Sequence, residues 1–177
     1  MSGLVFLIPV ALLMGLAGLA AFLWSVRSGQ FDDPDGAAHR ILVSPDESAV
    51  EAGEAVARAI AGSGKRAVVV GTSDLTHYGA MYYGFAPAGS GERALAWARA
   101  NDERVIRLML EMRAEEVIPE TETHHNACGG GAIAATIAAA RALGARKGVL
   151  LEYTNSHQVM PRGPATDFVG YAAVVFG

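Results

Sequence analysis

Residues 67–79 read Ala67-Val-Val-Val-Gly-Thr-Ser-Asp-Leu-Thr-His-Tyr-Gly79, and the fold prediction rests first on them. Their first five residues form a short apolar run that ends at a glycine, which is typical of a strand buried on both faces of a sheet. The polar residues that follow stand where the carboxyl end of such a strand presents groups to a ligand. The segment therefore predicts an α/β domain with Asp74 and His77 at one edge of its sheet.

Helical and strand patterns alternate on both sides of this segment. Apolar spacing predicts helices over residues 48–61, 92–112 and 132–143, the first with Ser48 as its N-cap. Short apolar runs predict strands over residues 148–153 and 168–176. Because helices separate the middle strands, we expect a mainly parallel sheet with an antiparallel pair at the C-terminus.

Asp74 and His77 form the first candidate site, the core of a first box at residues 71–79. Their spacing puts both side chains on one face if the segment makes a helical turn. A carboxylate beside an imidazole fixes its tautomer and raises its basicity, which suits a metal site or a general base. The alternative is a capped turn with His77 as an ordinary surface residue.

A second box, Thr-His-His-Asn-Ala-Cys-Gly-Gly-Gly at residues 123–131, opens the predicted alanine-rich helix. The only cysteine, Cys128, would lie near the helix N-terminus, where the helix dipole favours a thiolate by about 0.3–1 kcal/mol. His124 and His125 are close enough in sequence to assist it. The alternative is a small buried cysteine with glycines that only mark the helix start. The glycine spacing differs from that of a nucleotide-binding loop.

Together the boxes resemble the carboxy-terminal part of the Memo family, also called AmmeMemoRadiSam system protein B. The matching residues are Thr72, Ser73, Asp74, His77, Tyr78 and Gly79 in the first box, and His124, Asn126, Cys128 and Gly129 in the second. The resemblance runs from about residue 42 to the end, and the family's amino-terminal half has no counterpart in this sequence. It implies a fold similar to class III extradiol dioxygenases and an iron or copper ion in a cleft of histidines and a cysteine.

The same resemblance assigns roles to individual residues. It implies that Cys128 is a metal ligand and that Asp74 and His77 neighbour the site; we predict Cys128 and His77 as metal ligands and His77, Asp74 and Cys128 as the reactive residues. A catalytic metal normally has about three protein ligands. The site is therefore expected to be incomplete, and this chain alone is not expected to be a competent enzyme.

A long apolar segment precedes this domain. Residues 4–26 read LVFLIPVALLMGLAGLAAFLWSV, 23 residues with nothing more polar than one serine. A helix of that length spans roughly 34 Å against about 30 Å of hydrocarbon core. The segment is too long, and its N-terminus lacks the charge, for a cleaved signal peptide. We therefore predict an uncleaved single-span anchor in the lipid bilayer, with the C-terminal side in the cytoplasm because Arg27 and Arg40 follow it.

The residues after the anchor carry a second resemblance. The sequence Ala-Phe-Leu-Trp-x-x-Arg-Ser-Gly-Gln-Phe-Asp-Asp at residues 21–33 resembles the CcoS family, also called FixS, and its box Gly29-Gln-Phe-Asp-Asp33 is fairly specific. Members are small single-span maturation factors for cbb3-type cytochrome c oxidase in the bacterial inner membrane. The resemblance covers about residues 4–47 and implies a partnership with the oxidase subunits rather than catalysis.

The charge of each part of the chain excludes one class of function. Residues 1–47 carry two basic and five acidic side chains, net −3, and residues 48–177 carry 12 and 13, net −1. Without a basic excess the chain does not read as a nucleic-acid-binding protein. We predict a CcoS-like anchor over 1–47 and a truncated Memo-like α/β domain over 48–177. Three functions remain open: an oxidase assembly factor, a metal-dependent redox or dioxygenase-like domain, and a fused or truncated reading frame without activity.

Overall fold

The computed structural model describes residues 2–27, 46–82 and 84–177, and the chain divides into two units, Met1–Val43 and Ser44–Gly177. The acidic box with Asp32 and Asp33, and Arg40, fall outside the described residues. The predicted boundary between residues 47 and 48 stays a prediction.

The described part of the first unit is one helix, α1, which spans Ser2–Arg27 and contains Pro9. Its central side chains are exposed, among them Leu13 and Trp24. In the described part of the chain, no helix combines the length and the apolar character that crossing a membrane requires. The predicted transmembrane span is therefore not confirmed by the structure, although the predicted helix is present.

Four longer helices surround the core of the second unit: α2 (Asp46–Ser63), α3 (Glu92–Leu110), α4 (Ala114–His124) and α5 (Gly130–Ala142). The predicted bounds of α2, α3 and α5 agree with the structure within two residues at every end, and α4 was not predicted. The apolar faces of α3, α4 and α5 meet in one core through Val105, Val117 and Ile137. Gly53 lets α2 approach α5 closely, because a Cβ there would overlap the backbone of Ala135.

Over the residues that the structure describes, the sheet has three strands, β1 (His77–Tyr78), β2 (Gly148–Asn155) and β3 (Phe168–Phe176), in the order β1-β3-β2. Both pairings are antiparallel, with Asn155 opposite Gly170 and His77 opposite Val169. A short helix, α6 (Ser156–Val159), follows β2. The predicted antiparallel pair at the C-terminus is confirmed, and the prediction of a mainly parallel sheet is wrong. A parallel pair needs a neighbouring strand of the same direction, and the described residues provide none.

The predicted buried strand at residues 67–71 is also wrong. This segment has no strand pairing within the described residues, and Val68 and Val70 are 86% and 76% exposed. The segment lines a groove of about 630 Å³ together with Phe176 at the end of β3 and Thr136 on α5. A run of valines favours a strand only where another backbone is available for pairing.

Candidate functional site

The first box begins at the end of the unpaired segment and is hydrogen-bonded to β3. The amide of Leu75 donates to the carbonyl of Gly170 at 3.0 Å, and the amide of Gly170 donates back to the carbonyl of Thr76 at 3.1 Å. Tyr78 is fully buried and stacks on Phe168, with ring centroids 4.9 Å apart. These contacts fix the backbone on both sides of His77.

The second box pairs with the first. Ala127 forms an antiparallel bridge with Leu75, and the amide of Cys128 donates to the carbonyl of Asp74 at 3.1 Å. The amide of Gly129 donates to Oγ of Ser73 at 2.9 Å, which leaves that oxygen 3.9 Å from the Cys128 sulfur. Because α5 begins at residue 130, the predicted position of the cysteine just before a helix N-terminus is confirmed.

The pairing brings the three predicted site residues together. One ligand atom each from Asp74, His77 and Cys128 lies within 4.8 Å of the others. Nε2 of His77 is 3.4 Å from Oδ2 of Asp74. That nitrogen is shielded from solvent yet forms no well-aligned hydrogen bond within the described residues. A thiol, an imidazole nitrogen and a carboxylate facing one another form a donor set suited to a transition metal.

A cavity of about 490 Å³ borders this cluster and is lined in part by His77 and Cys128. Its other walls are mostly apolar or aromatic: Leu75, Tyr82, Gly84, Phe85, Thr121, His125 and Ala127. A concave, largely apolar space with a few polar groups is typical of a small-molecule site. Tyr82 and Phe85 were not predicted as site residues, because their closeness to the first box in sequence could not by itself identify them.

His125 and His124 separate at the end of α4. His125 has a left-handed backbone with φ of 49° and turns towards the cavity, where its ring meets Phe85 edge-on at 5.6 Å. His124 points elsewhere, and its Nε2 lies 2.6 Å from a guanidinium nitrogen of Arg104. The hypothesis that both histidines assist Cys128 is therefore not supported for His124.

Glu120 completes the polar group around His124. Arg104 donates to it at 2.7 Å and Asn126 at 3.0 Å. Burial raises the pKa of Glu120, but these hydrogen bonds and the charge of Arg104 outweigh burial and lower the pKa below its usual range. Glu120 is thus held as an anion at neutral pH, beside the second box but outside the three-residue cluster.

Comparisons with known proteins give separate matches for the two parts of the chain. Residues 40–175 match the family described as Memo-like protein. The chain is 35% identical to MEMO1 family proteins from Methanosarcina acetivorans over 130 residues and from Pyrococcus abyssi over 133 residues. Each alignment covers 73% of this chain but only 43% and 45% of those relatives. The chain therefore spans less than half the length of the Memo relatives it matches.

The first unit has a separate match. Residues 2–44 match the family described as cytochrome oxidase maturation protein cbb3-type. Over 46 residues the chain is 56% identical to the nitrogen fixation protein FixS from Rhizobium meliloti, covering 26% of this chain and 84% of that protein. Both resemblances predicted from the sequence are confirmed.

Proposed function

The chain belongs to the Memo-like family over residues 40–175 and to the cbb3-type cytochrome oxidase maturation family over residues 2–44, and from this premise we propose that it is a metal-binding factor in oxidase maturation. In this proposal the second unit holds an iron or copper ion at Cys128 and His77. The first unit attaches the chain to the bilayer beside oxidase subunits. In this proposal the chain binds a metal cofactor and delivers it to the oxidase, and it does not catalyse a reaction on a substrate.

One observation carries the metal assignment: Nε2 of His77 lacks both solvent and a hydrogen bond within the described residues, in a cluster with a thiol and a carboxylate. Leaving a buried polar atom without a partner costs about 1–3 kcal/mol. A metal ion bound between the side chains would offset that cost. Oδ2 of Asp74, 3.4 Å from this nitrogen, is not aligned for a hydrogen bond, so His77 is better explained as a metal ligand than as a packing residue.

The spacing and the chemistry of the donors both fit one ion. Ligands at about 2.0–2.3 Å from one tetrahedral ion lie roughly 3.3–3.8 Å from one another. The ligand atoms of Asp74, His77 and Cys128 lie within 4.8 Å of one another, so binding an ion would bring them closer by roughly 1 Å. Thiolate with imidazole favours copper(I) and also suits iron. Asp74 supplies a carboxylate beside His77. This carboxylate would bind the ion as a third donor or balance the positive charge of the ion.

Metal analysis of the purified full chain tests this assignment. After incubation with copper(I) and removal of excess metal, the wild type is expected to retain about one ion per chain. Cys128→Ser and His77→Gln are expected to lose it. His157→Gln, on α6 and outside the cluster, is the matched control and is expected to retain it. Retention by Cys128→Ser, or none by the wild type, would overturn the assignment.

Attachment to the membrane and service to the oxidase rest on the first unit. They are supported by the family match and by the 23 apolar residues at 4–26 of the sequence. We expect the full chain to sediment with bacterial membranes and to remain there after a carbonate wash, with the second unit on the cytoplasmic side. Recovery of the intact chain in the aqueous fraction would contradict this part of the proposal.

Oxidase activity in membranes then separates the contributions of the two units. Replacing Asp32 and Asp33 together by Asn is expected to impair oxidase assembly, and Cys128→Ser is expected to impair it as well. If oxidase activity is lost in the first variant but complete in Cys128→Ser, the Memo-like unit has no role in maturation.

A second candidate function, redox or dioxygenase-like chemistry on a small molecule, is favoured by the cavity of about 490 Å³ beside His77 and Cys128. The cavity would bind an apolar molecule next to the metal, and His125 at its wall could accept or donate a proton. Oxygen uptake by the metal-loaded chain in the presence of small apolar compounds tests it. A fully loaded chain that consumes no oxygen would remove this candidate.

A further inference from the structure

Asn101 and Asp102 are buried side by side on α3, with only 6% and 0% of their surfaces exposed. Neither residue belongs to either box, and the proposed function gives neither a role. Polar side chains are rarely buried this deeply unless hydrogen bonds compensate for the loss of water. Their hydrogen bonds therefore indicate what the pair does.

The pair holds the first box through Thr76, which lies between Asp74 and His77 and is fully buried. The Thr76 amide donates to Oδ1 of Asp102 at 2.8 Å. The side-chain amide of Asn101 donates to Oγ1 of Thr76 at 3.1 Å. Both the backbone and the side chain of this residue are thus bonded to α3.

The same asparagine holds the second box. Its side-chain amide donates to the carbonyl of His124 at 2.9 Å. Its own carbonyl accepts from the side-chain amide of Asn126 at 2.9 Å, and Asn126 is two residues from Cys128. Asn101 therefore contacts both boxes at once.

The sheet fixes the pair from the opposite side. The Tyr153 hydroxyl on β2 donates to Oδ2 of Asp102 at 2.7 Å. On β3, Gly170 leaves no room for a side chain, because a Cβ there would overlap the same oxygen. Burial raises the pKa of Asp102, although the hydrogen bonds from Thr76 and Tyr153 oppose that rise. The carboxylate is held in one orientation by α3, β2, β3 and the first box.

We propose that Asn101 and Asp102 are positioning residues that set the distance between His77 and Cys128 by bonding both boxes to one rigid helix. This inference rests on the proposed metal site. Outer partners of metal ligands commonly contribute about 10–100-fold to metal affinity, because they hold the ligands in place before the ion arrives.

The test uses the full chain titrated with Co²⁺ alone, followed by the thiolate-to-cobalt charge-transfer band in the near ultraviolet. Asn101→Leu and Asp102→Leu, which remove the polar groups at similar volume, are expected to weaken Co²⁺ binding by about 10–100-fold. Asp102→Asn keeps an acceptor for Thr76 and a polar partner for Tyr153, and is expected to bind like the wild type. Ile137→Ala, a core variant outside the network, is expected to unfold more readily and still to bind Co²⁺ normally.

Hydrogen exchange of peptides covering residues 71–79 and 123–131 gives a second readout that needs no metal. Asn101→Leu is expected to speed exchange in both peptides, and Ile137→Ala in neither selectively. If a leucine variant does not fold, Thr76→Val removes one acceptor only and should show a smaller loss in the same direction.

The outcomes separate the two ideas. Wild-type Co²⁺ affinity together with wild-type exchange in Asn101→Leu would overturn the positioning role. A wild-type chain that binds no Co²⁺ would count against the metal site alone, and exchange in the two peptides would then decide the positioning role by itself.

Discussion

Residues 67–71 and 74–78 lie close together in the sequence, but their hydrogen bonding differs. The first part has three consecutive valines, yet it is unpaired within the described residues and two of the valines are largely exposed. The second part is mostly polar, yet it is bonded to β3, to α3 and to the second box. Available hydrogen-bond partners, rather than local strand preference, therefore decide which part is fixed.

This difference bears directly on the candidate metal site. His77 lies in residues 74–78, and Cys128 lies in the second box, which is hydrogen-bonded to them. These hydrogen bonds therefore set the distance between His77 and Cys128. The segment with Val68 and Val70 has no such framework of hydrogen bonds within the described residues. Substitutions in the two parts should therefore have very different effects on stability.

Leu75→Ala should show the largest loss. Leu75 is 3% exposed and packs in the main core, so truncation leaves a cavity as well as losing burial. We expect about 3 kcal/mol less free energy of unfolding, measured by urea denaturation. Val70→Ala, from the unpaired part, is the matched control. Similar losses for the two variants would break the distinction between the parts.

Gly170→Ala should follow, at about 2 kcal/mol, because the new methyl group would collide with Oδ2 of Asp102, the atom that accepts from the Tyr153 hydroxyl. Urea denaturation measures the loss. Gly62→Ala on α2 is the control, since nothing lies within 4 Å of a Cβ there, and it should be neutral or slightly stabilising. Wild-type stability in Gly170→Ala would show that Asp102 is not held against β3.

Asp102→Asn should change how the free energy of unfolding depends on pH more than it changes the magnitude of that free energy. Burial raises the pKa of Asp102 in the folded state, so its favourable contribution is complete below the unfolded pKa and is lost as pH rises through the folded pKa. The variant lacks that loss. Relative to the wild type, its free energy of unfolding should therefore increase from about pH 3.5 to pH 7. A difference that stays constant with pH would contradict the raised pKa.

Val68→Thr and Val70→Thr should have the smallest effect. Both residues are exposed and unpaired within the described residues, and threonine keeps the same shape, so a change below about 0.5 kcal/mol is expected. Thermal denaturation of each variant beside the wild type suffices to measure it. A loss above 1 kcal/mol would mean that this part is packed after all.

Local patterns predicted part of this architecture. The helix that begins after Cys128 and the C-terminal strand pair follow from short-range signals, and the convergence of Asp74, His77 and Cys128 followed from the family resemblance. The unpaired state of residues 67–71 could not be predicted, because the valine run looks the same whether or not another strand lies beside it. The antiparallel pairing of β1 with β3 depends on contacts between residues about ninety positions apart.

The polar pair on α3, Asn101 and Asp102, can be recognised in the sequence by its position among apolar residues. Asn101 and Asp102 are each four positions before an apolar core residue, Val105 and Ile106, so all four lie on one face of the helix. Two polar residues inside an apolar stripe indicate buried hydrogen bonds. Their partners, Thr76 and Asn126, come from both boxes and could not be identified without the fold.

The most direct test of the two-box metal site is X-ray absorption spectroscopy at the metal edge of the copper-loaded full chain. The account predicts one sulfur scatterer and one imidazole in the wild type, with the sulfur absent in Cys128→Ser and the imidazole reduced in His77→Gln. Only nitrogen and oxygen neighbours in the wild type, or a sulfur signal that survives in Cys128→Ser, would contradict it.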